Sequence, residues 1–202
     1  MPVKALNVLQ LEQLRRTGSC VGCDLSSAQL PDALLSNTDL RGANLTGANL
    51  SRADLRRANL EGANLSGANL MYTNLTDANL AGANLIVTTL IRANLTRTNL
   101  SGAGLSLAKL PGANLTGANL RLADLKAADL SNANLNSADL IEADLTGANL
   151  RLADLKAANL SNANLNSADL IEADLRDADL ANAILDNAKM KSTIMPDGTF
   201  YP

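Results

Sequence analysis

A leucine at every fifth position is the feature that most constrains how this chain of 202 residues can fold. From Leu25 to Leu185, all 33 positions divisible by five are leucine. In an α-helix, residues five apart lie about 140° from each other around the axis, and in a strand the side chains alternate every two residues. The spacing therefore predicts neither a long helix nor a long strand, but a short unit that regains its orientation every five residues.

The residues between the leucines indicate what this unit is. The position two before each leucine is Ala in 28 of the 33 units, and the position between them is Asn or Asp in 27. This apolar, polar, apolar order is typical of a three-residue strand whose side chains point inward, outward and inward. The other two positions hold mainly Gly, Ser, Thr, Arg and Glu and are predicted to turn. Because one unit cannot bury its leucine alone, the units are expected to coil and stack.

The glycines predict the size of a coil. Five of them lie twenty residues apart, each in the second turn position: Gly22, Gly42, Gly62, Gly82 and Gly102. Four units per coil would align these glycines along one corner, where a type II turn needs a positive φ. With neighbouring coils about 4.8 Å apart, roughly eight coils would form a rod about 40 Å long.

At this point the chain resembles a known family. The A-(N/D)-L-x-x pattern over residues 23–190 resembles the pentapeptide repeat family, and the stretches TGSCVGCDLSSAQL and MPDGT resemble its cyanobacterial members. The resemblance implies an all-β solenoid, namely a right-handed, four-sided (quadrilateral) β-helix. We therefore expect a non-enzymatic scaffold or protein-interaction module of unassigned biological role.

The two ends of the chain are predicted to cover the ends of the solenoid, where apolar surface and strand edges would otherwise be exposed. Residues 1–22 are expected to hold a short capping α-helix and a linker, because apolar residues recur there at helical spacing: Val3, Leu6, Leu9, Leu11 and Leu14. In the tail, residues 191–202, the five-residue phase continues through Met195 and Phe200. The tail is expected to fold over the last coil or to form part of a further one.

A seam is predicted in the middle of the repeats, over residues 86–112. Residues 116–145 recur as 146–175 with one change, Asp129 to Asn159, whereas the twenty-residue glycine spacing ends near residue 103. Residues 1–120 carry 10 basic and 7 acidic side chains, and residues 121–202 carry 7 and 13. Two arrays of different history would explain these differences, and random drift is the alternative.

Several function classes are disfavoured by composition. The chain has no histidine, which excludes Ser–His and Cys–His catalytic pairs, and it has no phosphate-binding or zinc-peptidase motif. We predict that it is not an enzyme and binds no cofactor. A net charge of −3 does not favour direct nucleic-acid binding. With no apolar run near the roughly 18 residues of a membrane span and no signal-peptide pattern, a cytoplasmic location is expected, without a membrane partner.

The segment Cys20-Val-Gly-Cys23 holds both cysteines. A zinc site would need two further ligands, and both cysteines fall on inward positions. We therefore predict a structural thiol pair or disulfide where the helix meets the first coil. Stacking also pairs outward aspartates of neighbouring coils, which we interpret as solvated surface and not as a cation site: Asp124 with Asp144, and Asp154 with Asp174.

Coil stacking aligns two triplets of side chains on adjacent corners of the basic half: Arg52, Tyr72 and Arg92, and Arg57, Asp77 and Arg97. A tyrosine between two arginines permits cation–π stacking, and an aspartate between two arginines neutralises them. We predict a patch for an unknown protein partner here. Surface charges that merely offset one another are the alternative.

The resemblance implies a second candidate function. Some family members mimic duplex DNA and protect DNA gyrase from quinolones, acting as acidic dimers. This chain differs, because it is barely acidic and its first half is basic. Gyrase or another topoisomerase is therefore kept as the alternative partner, and the chain is expected to be a monomer or a weak end-to-end dimer.

Overall fold

The computed structural model describes residues 8–202, which form one α-helix followed by a solenoid. Each unit has two turn residues and one residue in a parallel β-bridge, and each bridge joins residues twenty positions apart, from Ser19–Asp39 to Asp174–Ile194. A coil therefore contains four units, one on each side, which confirms the predicted four-sided solenoid. The β-structure is confined to single bridged residues, since each side is only three residues long.

Leucine and alanine fill the interior as predicted. Every repeat leucine from Leu40 to Leu175 is at most 1% exposed, and burial of one such side chain stabilises the fold by about 1.5–3 kcal/mol. Five buried threonines replace alanine: Thr38, Thr73, Thr88, Thr98 and Thr193. Thr38 donates its hydroxyl to the Leu35 carbonyl at 2.7 Å, and the other four donate to a leucine carbonyl 23 residues earlier, at 2.7–2.9 Å. Among the described residues, no buried side-chain nitrogen or oxygen lacks a partner.

Backbone hydrogen bonds join each unit to both neighbouring coils. In residues 43–47, the leucine N–H and the second turn N–H donate to the following coil at 2.7 and 2.9 Å, and the asparagine N–H donates to the preceding coil at 2.8 Å. The alanine N–H closes the turn at 3.0 Å. The first turn residue, Thr46, instead donates its N–H to Oδ1 of Asn44 at 3.2 Å. The Asn or Asp position thus supplies the acceptor that the backbone lacks.

Three prolines agree with this role of the Asn or Asp side chain. Pro31, Pro111 and Pro196 occupy first turn positions, and each lies two residues after a position that is neither Asn nor Asp: Gln29, Lys109 and Ile194. Proline has no N–H, so no acceptor is needed there. Its restricted φ also suits the first central position of a type II turn.

The second turn position is strained in most units. Every such residue from Gly22 to Ser192 has a positive φ, and 25 of them are not glycine. This conformation costs an ordinary residue about 1–2 kcal/mol. The corners therefore impose it on all residue types, and the leucine core and the inter-coil hydrogen bonds offset the cost.

The helix α1, Val8–Thr17, covers the first coil. Leu14 is buried in the core and Leu11 packs against it, which is consistent with the predicted capping role of the helix. The expectation that Leu9 shares this face is wrong, because its side chain is 76% exposed. Val3 and Leu6 lie outside the described residues. Within residues 8–202, no helix has the length and apolar character needed to cross a membrane.

At the C-terminal end, the tail first forms part of a further coil and then folds back over it. The turn-and-bridge pattern continues to Met195, after which the chain reverses and Phe200 forms an antiparallel bridge with Ile194. The Tyr201 N–H also donates a hydrogen bond to the Thr193 carbonyl at 2.8 Å. The final coil is covered only along this part.

The backbone pattern continues without interruption through residues 86–112. Thr89 pairs with Lys109, and Gly104 pairs with Asn84 on one side and Asp124 on the other. The seam therefore stays a prediction about the origin of the repeats, and both halves share one coil geometry.

Candidate interaction surface

Both predicted triplets lie at exposed second turn positions on two adjacent corners of the solenoid. Each residue donates its backbone N–H to the next coil, as Arg52 does to Met71 at 2.9 Å. Each also has a positive φ, between 53° and 60°. The corner geometry thus places one member of each triplet on each of three successive coils.

In the first triplet, Arg52 is directed away from Tyr72. Its Nε and Nη2 atoms each lie 2.7 Å from the carboxylate of Asp32, one coil earlier. The hydrogen bonds from Arg52 lower the pKa of Asp32 below its ordinary value. Tyr72 is half exposed, and its ring stacks on neither arginine within the described structure. The cation–π arrangement that the sequence permitted is not formed.

In the second triplet, the aspartate is bound by one of the two arginines. Arg97 lies over Asp77 with both hydrogen bonds at 2.8 Å. These bonds, and secondarily the positive charge of Arg57, lower the pKa of Asp77. Both arginine–aspartate pairs are exposed, so each adds little to stability. Their main effect is to neutralise part of the predicted patch.

Two of the arginine and lysine side chains between Cys20 and Leu180 have no hydrogen-bonding, ion-pairing or electrostatic partner in the described structure. Arg92, of the first triplet, and Lys109, one coil later, form no ion pair or side-chain hydrogen bond. Lys109 occupies a position where most units have Asn or Asp. Two residues later, Pro111 has no N–H that needs an acceptor.

The stacked aspartates of the second half are bridged by lysines. Lys126 Nζ lies 3.3 Å from Asp124 and 2.9 Å from Asp144. In the duplicated copy, Lys156 Nζ lies 2.9 Å from Asp154 and 3.7 Å from Asp174. Residues 8–202 contain no group of three or more His, Cys, Asp or Glu side chains suited to a metal ion.

Cys20 and Cys23 form a disulfide at the junction of α1 and the first coil. Both side chains are buried. Next to this bond, the Gln10 side chain of α1 accepts a hydrogen bond from the Asp24 N–H at 2.9 Å. A structural role for the pair stays a prediction, and this position beside the helix supports it.

Ile86, Val87 and Leu107 form an apolar surface that was not predicted from the sequence and that we call the apolar corner. These side chains occupy turn positions and are 41%, 50% and 56% exposed. Apolar residues at turn positions in the stretches IVTTL and SLAKL were the available signal.

The geometry defines a class of protein: a solenoid whose four-sided coils each contain four A-(N/D)-L-x-x units. The pentapeptide repeat family, described as "Pentapeptide repeats", matches the chain in 8 copies over residues 19–57, 48–85, 78–117, 88–126, 118–156 and 158–195. The chain belongs to the pentapeptide repeat family.

Several solved structures are similar to this chain. HetL, a pentapeptide repeat protein involved in heterocyst differentiation regulation from the cyanobacterium Nostoc, is 38% identical, with 91% of this chain and 89% of HetL covered and a TM-score of 0.54. A thylakoid-lumen pentapeptide repeat protein from Arabidopsis thaliana is 30% identical, with coverages of 50% and 70% and a TM-score of 0.47. QnrB1, a plasmid-mediated fluoroquinolone resistance protein, is 18% identical, with coverages of 85% and 88% and a TM-score of 0.41. Comparison with curated proteins finds no match.

Proposed function

We propose that this protein is a non-enzymatic scaffold that binds another protein through side chains displayed on a right-handed solenoid. The proposal rests on the different roles of the inward and outward positions within each unit. The inward positions hold small or apolar side chains, and the backbone N–H groups are taken up between coils and within turns. Side chains with reactive or charged groups therefore lie on the outer surface, in rows fixed by the rigid frame.

In this proposal the three parts of the chain have different roles. Residues 1–22 cap the first coil, residues 23–190 present the binding surface, and residues 191–202 close part of the other end. The partner is a cytoplasmic protein that contacts the basic half, near Tyr72 and the unpaired Arg92. HetL, which belongs to a regulatory process, supports a binding role by its similarity.

An affinity pull-down from the native cell extract tests this function. The intact protein should retain at least one specific partner, and the variant Tyr72→Ala/Arg92→Ala should retain less of it. A matched control is Glu142→Ala/Asn162→Ala, which changes two exposed second turn residues at another corner. Equal retention by the patch variant would exclude the patch, and the absence of any specific partner would contradict the scaffold function.

Gyrase stays the alternative partner and needs a separate assay. Purified protein is added to a gyrase supercoiling reaction, with and without a quinolone. Inhibition of supercoiling, or protection from the drug, would favour this alternative over the scaffold with an unknown partner.

A further inference from the structure

We infer that the apolar corner and the two unpaired cations beside it form one docking surface for an acidic segment of a partner protein that also carries large apolar side chains. The inference rests on the proposed interaction function and specifies its surface and the chemistry of its partner. Arg92 also belongs to the predicted patch, whereas the other four residues of the docking surface do not: Ile86, Val87, Leu107 and Lys109.

Val87 and Leu107 hold a strained backbone conformation without a local benefit. Val87 has a φ of 58°, although a β-branched residue is a genuine outlier there, and Leu107 on the next coil has a φ of 59°. Both side chains point into solvent, so neither gains core burial in return. The same corner holds glycine on other coils, at Gly47, Gly67 and Gly147. Val87 is the only β-branched residue among the second turn positions from Gly22 to Ser192, and an outlier of this kind supports a functional role.

The three apolar side chains of the docking surface lie next to one another on two successive coils. Val87 donates its N–H to Ser106 at 3.1 Å, which places Leu107 on the coil directly following Val87. Ile86 precedes Val87, and its Cγ1 lies 3.8 Å from where a Cβ of residue 104 would be. Residue 104 is glycine where most units have Asn or Asp, so no polar side chain covers Ile86 there. Adjacent coils are about 4.8 Å apart, so the three side chains form one patch.

Arg92 and Lys109 give the docking surface a positive charge beside the apolar corner. The side of the coil that begins at the apolar corner ends at Arg92, and Lys109 lies on the same side of the next coil, paired with Thr89. Asp129 follows Lys109 on this side, but its Oδ1 accepts hydrogen bonds from the Ser131 N–H at 3.1 Å and the Asn149 side chain at 3.0 Å. Arg92 and Lys109 therefore remain available, and carboxylates on a partner would complement them.

Together these features specify the partner segment. Its apolar side chains would cover the apolar corner, and its carboxylates would pair with Arg92 and Lys109. One side of a coil is about 10 Å across, so a short segment can contact both regions at once. Partly desolvated apolar contacts would supply affinity, and the charges would supply orientation and salt dependence.

A direct test uses a fluorescein-labelled peptide with a leucine- and phenylalanine-rich half followed by a glutamate half. Anisotropy should show that the intact protein binds it about tenfold more tightly than a peptide with lysine in place of glutamate. Added salt should weaken the binding. Equal binding of the two peptides, or no binding of the glutamate peptide, would overturn the inference.

Two variants locate the surface. Val87→Gly/Leu107→Gly restores the glycine found elsewhere at this corner, and Arg92→Gly/Lys109→Asn removes the two cations. Each should weaken binding of the glutamate peptide by about tenfold or more. The matched control is Leu122→Gly/Leu152→Gly, which removes exposed leucines of similar positive φ at two other corners. An equal loss in this control would overturn the assignment.

The same variants separate this inference from the function on which it rests. If a partner captured by the intact protein is retained equally by Val87→Gly/Leu107→Gly, the docking surface is wrong while the scaffold function stands. If no partner is captured but the glutamate peptide binds as expected, the scaffold function fails alone. Self-association that disappears in the glycine variant, measured by sedimentation, would assign the surface to a second copy and contradict the inference.

Discussion

At the scale of single residues, each position of the unit has a distinct physical role. Leu and Ala fill the core, and the second turn residue takes a positive φ. The Asn or Asp side chain accepts a hydrogen bond from the first turn N–H, which makes no backbone hydrogen bond between coils or within the turn. The first role was predicted from spacing, and the second was predicted only for the five glycines of one corner. The third was not, because an outward polar residue looks the same in sequence whether it faces solvent or binds its own turn.

The leucine core should dominate stability. Leu95 is fully buried, so Leu95→Ala should lower the free energy of unfolding by about 2–5 kcal/mol through the cavity that it leaves. Asn94→Ala removes the acceptor for the Thr96 N–H, bound at 3.1 Å, and should cost only about 1 kcal/mol. Denaturant unfolding of both variants measures the difference. Equal losses would contradict the inward and outward assignment.

The strain at the second turn position can be measured at one corner. Val87→Gly should raise the free energy of unfolding by about 1 kcal/mol, because relief of the positive φ outweighs the entropy that glycine loses on folding. The reverse change one coil earlier, Gly67→Val, should lower it by a similar amount. Thermal unfolding of the pair is the measurement. A destabilised Val87→Gly protein would show that this side chain contributes packing that its exposure hides.

At the scale of the corner element, the first turn residue and the Asn or Asp before it form one functional pair. At three corners, the Asn or Asp acceptor is absent and the first turn residue is proline, which has no N–H to bind. This coincidence was visible in the sequence, but its meaning depends on knowing which N–H the ladder leaves over. Which N–H is left without a backbone acceptor depends on the folded corner, and the secondary-structure propensities of the residues do not reveal it.

A double-mutant cycle tests the pair. Asn94→Ala leaves the Thr96 N–H and hydroxyl without their shared acceptor, and Thr96→Pro removes both donors, so the double variant should lose less stability than the sum of the single variants. The coupling should be about 1 kcal/mol. The residue before the proline is extended, as proline requires. As a control, Asn94→Ala combined with Ser101→Pro should be additive, since the Ser101 N–H binds Asn99; coupling of equal size there would refute the pairing.

The predicted site shows where sequence reasoning reached its limit. The twenty-residue period correctly placed Arg52, Tyr72 and Arg92 on one corner, because coil length follows from the repeat. It did not determine which neighbour Arg52 would bind, since Asp32 and Tyr72 lie one coil away in opposite directions. That choice depends on side-chain rotamers and charge, and repeat spacing contains neither.

At the scale of the whole molecule, the second half carries more carboxylates in its outward rows, and some are held in the charged form by neighbouring groups. Hydrogen bonds from the Arg176 side chain are the main cause that lowers the pKa of Asp174 below its ordinary value of 3.8. The folded state therefore binds fewer protons at this site than the unfolded state. The resulting stabilisation is present above pH 3.8 and is lost as the pH falls through the lower folded value.

Asp174→Asn should remove this pH dependence while keeping an oxygen for the Arg176 N–H, which lies 3.1 Å from Oδ1. The stability advantage of the unmodified protein over this variant should shrink as the solution is acidified from about pH 6 to about pH 2. Chemical unfolding at several pH values measures the effect. Asp186→Asn, at an exposed position without a side-chain hydrogen bond, serves as the control. An advantage that is constant with pH would refute the role of Asp174.

The twenty-residue coil also has a genetic consequence. An in-frame insertion of one unit's codons leaves every leucine inside, because the new unit supplies its own side and corner. Everything beyond the insertion is nevertheless rotated by about a quarter turn around the rod, and the rows of outward side chains are joined in new combinations. Slippage during DNA replication can thus create new surfaces in single steps while the core and its stability stay nearly constant.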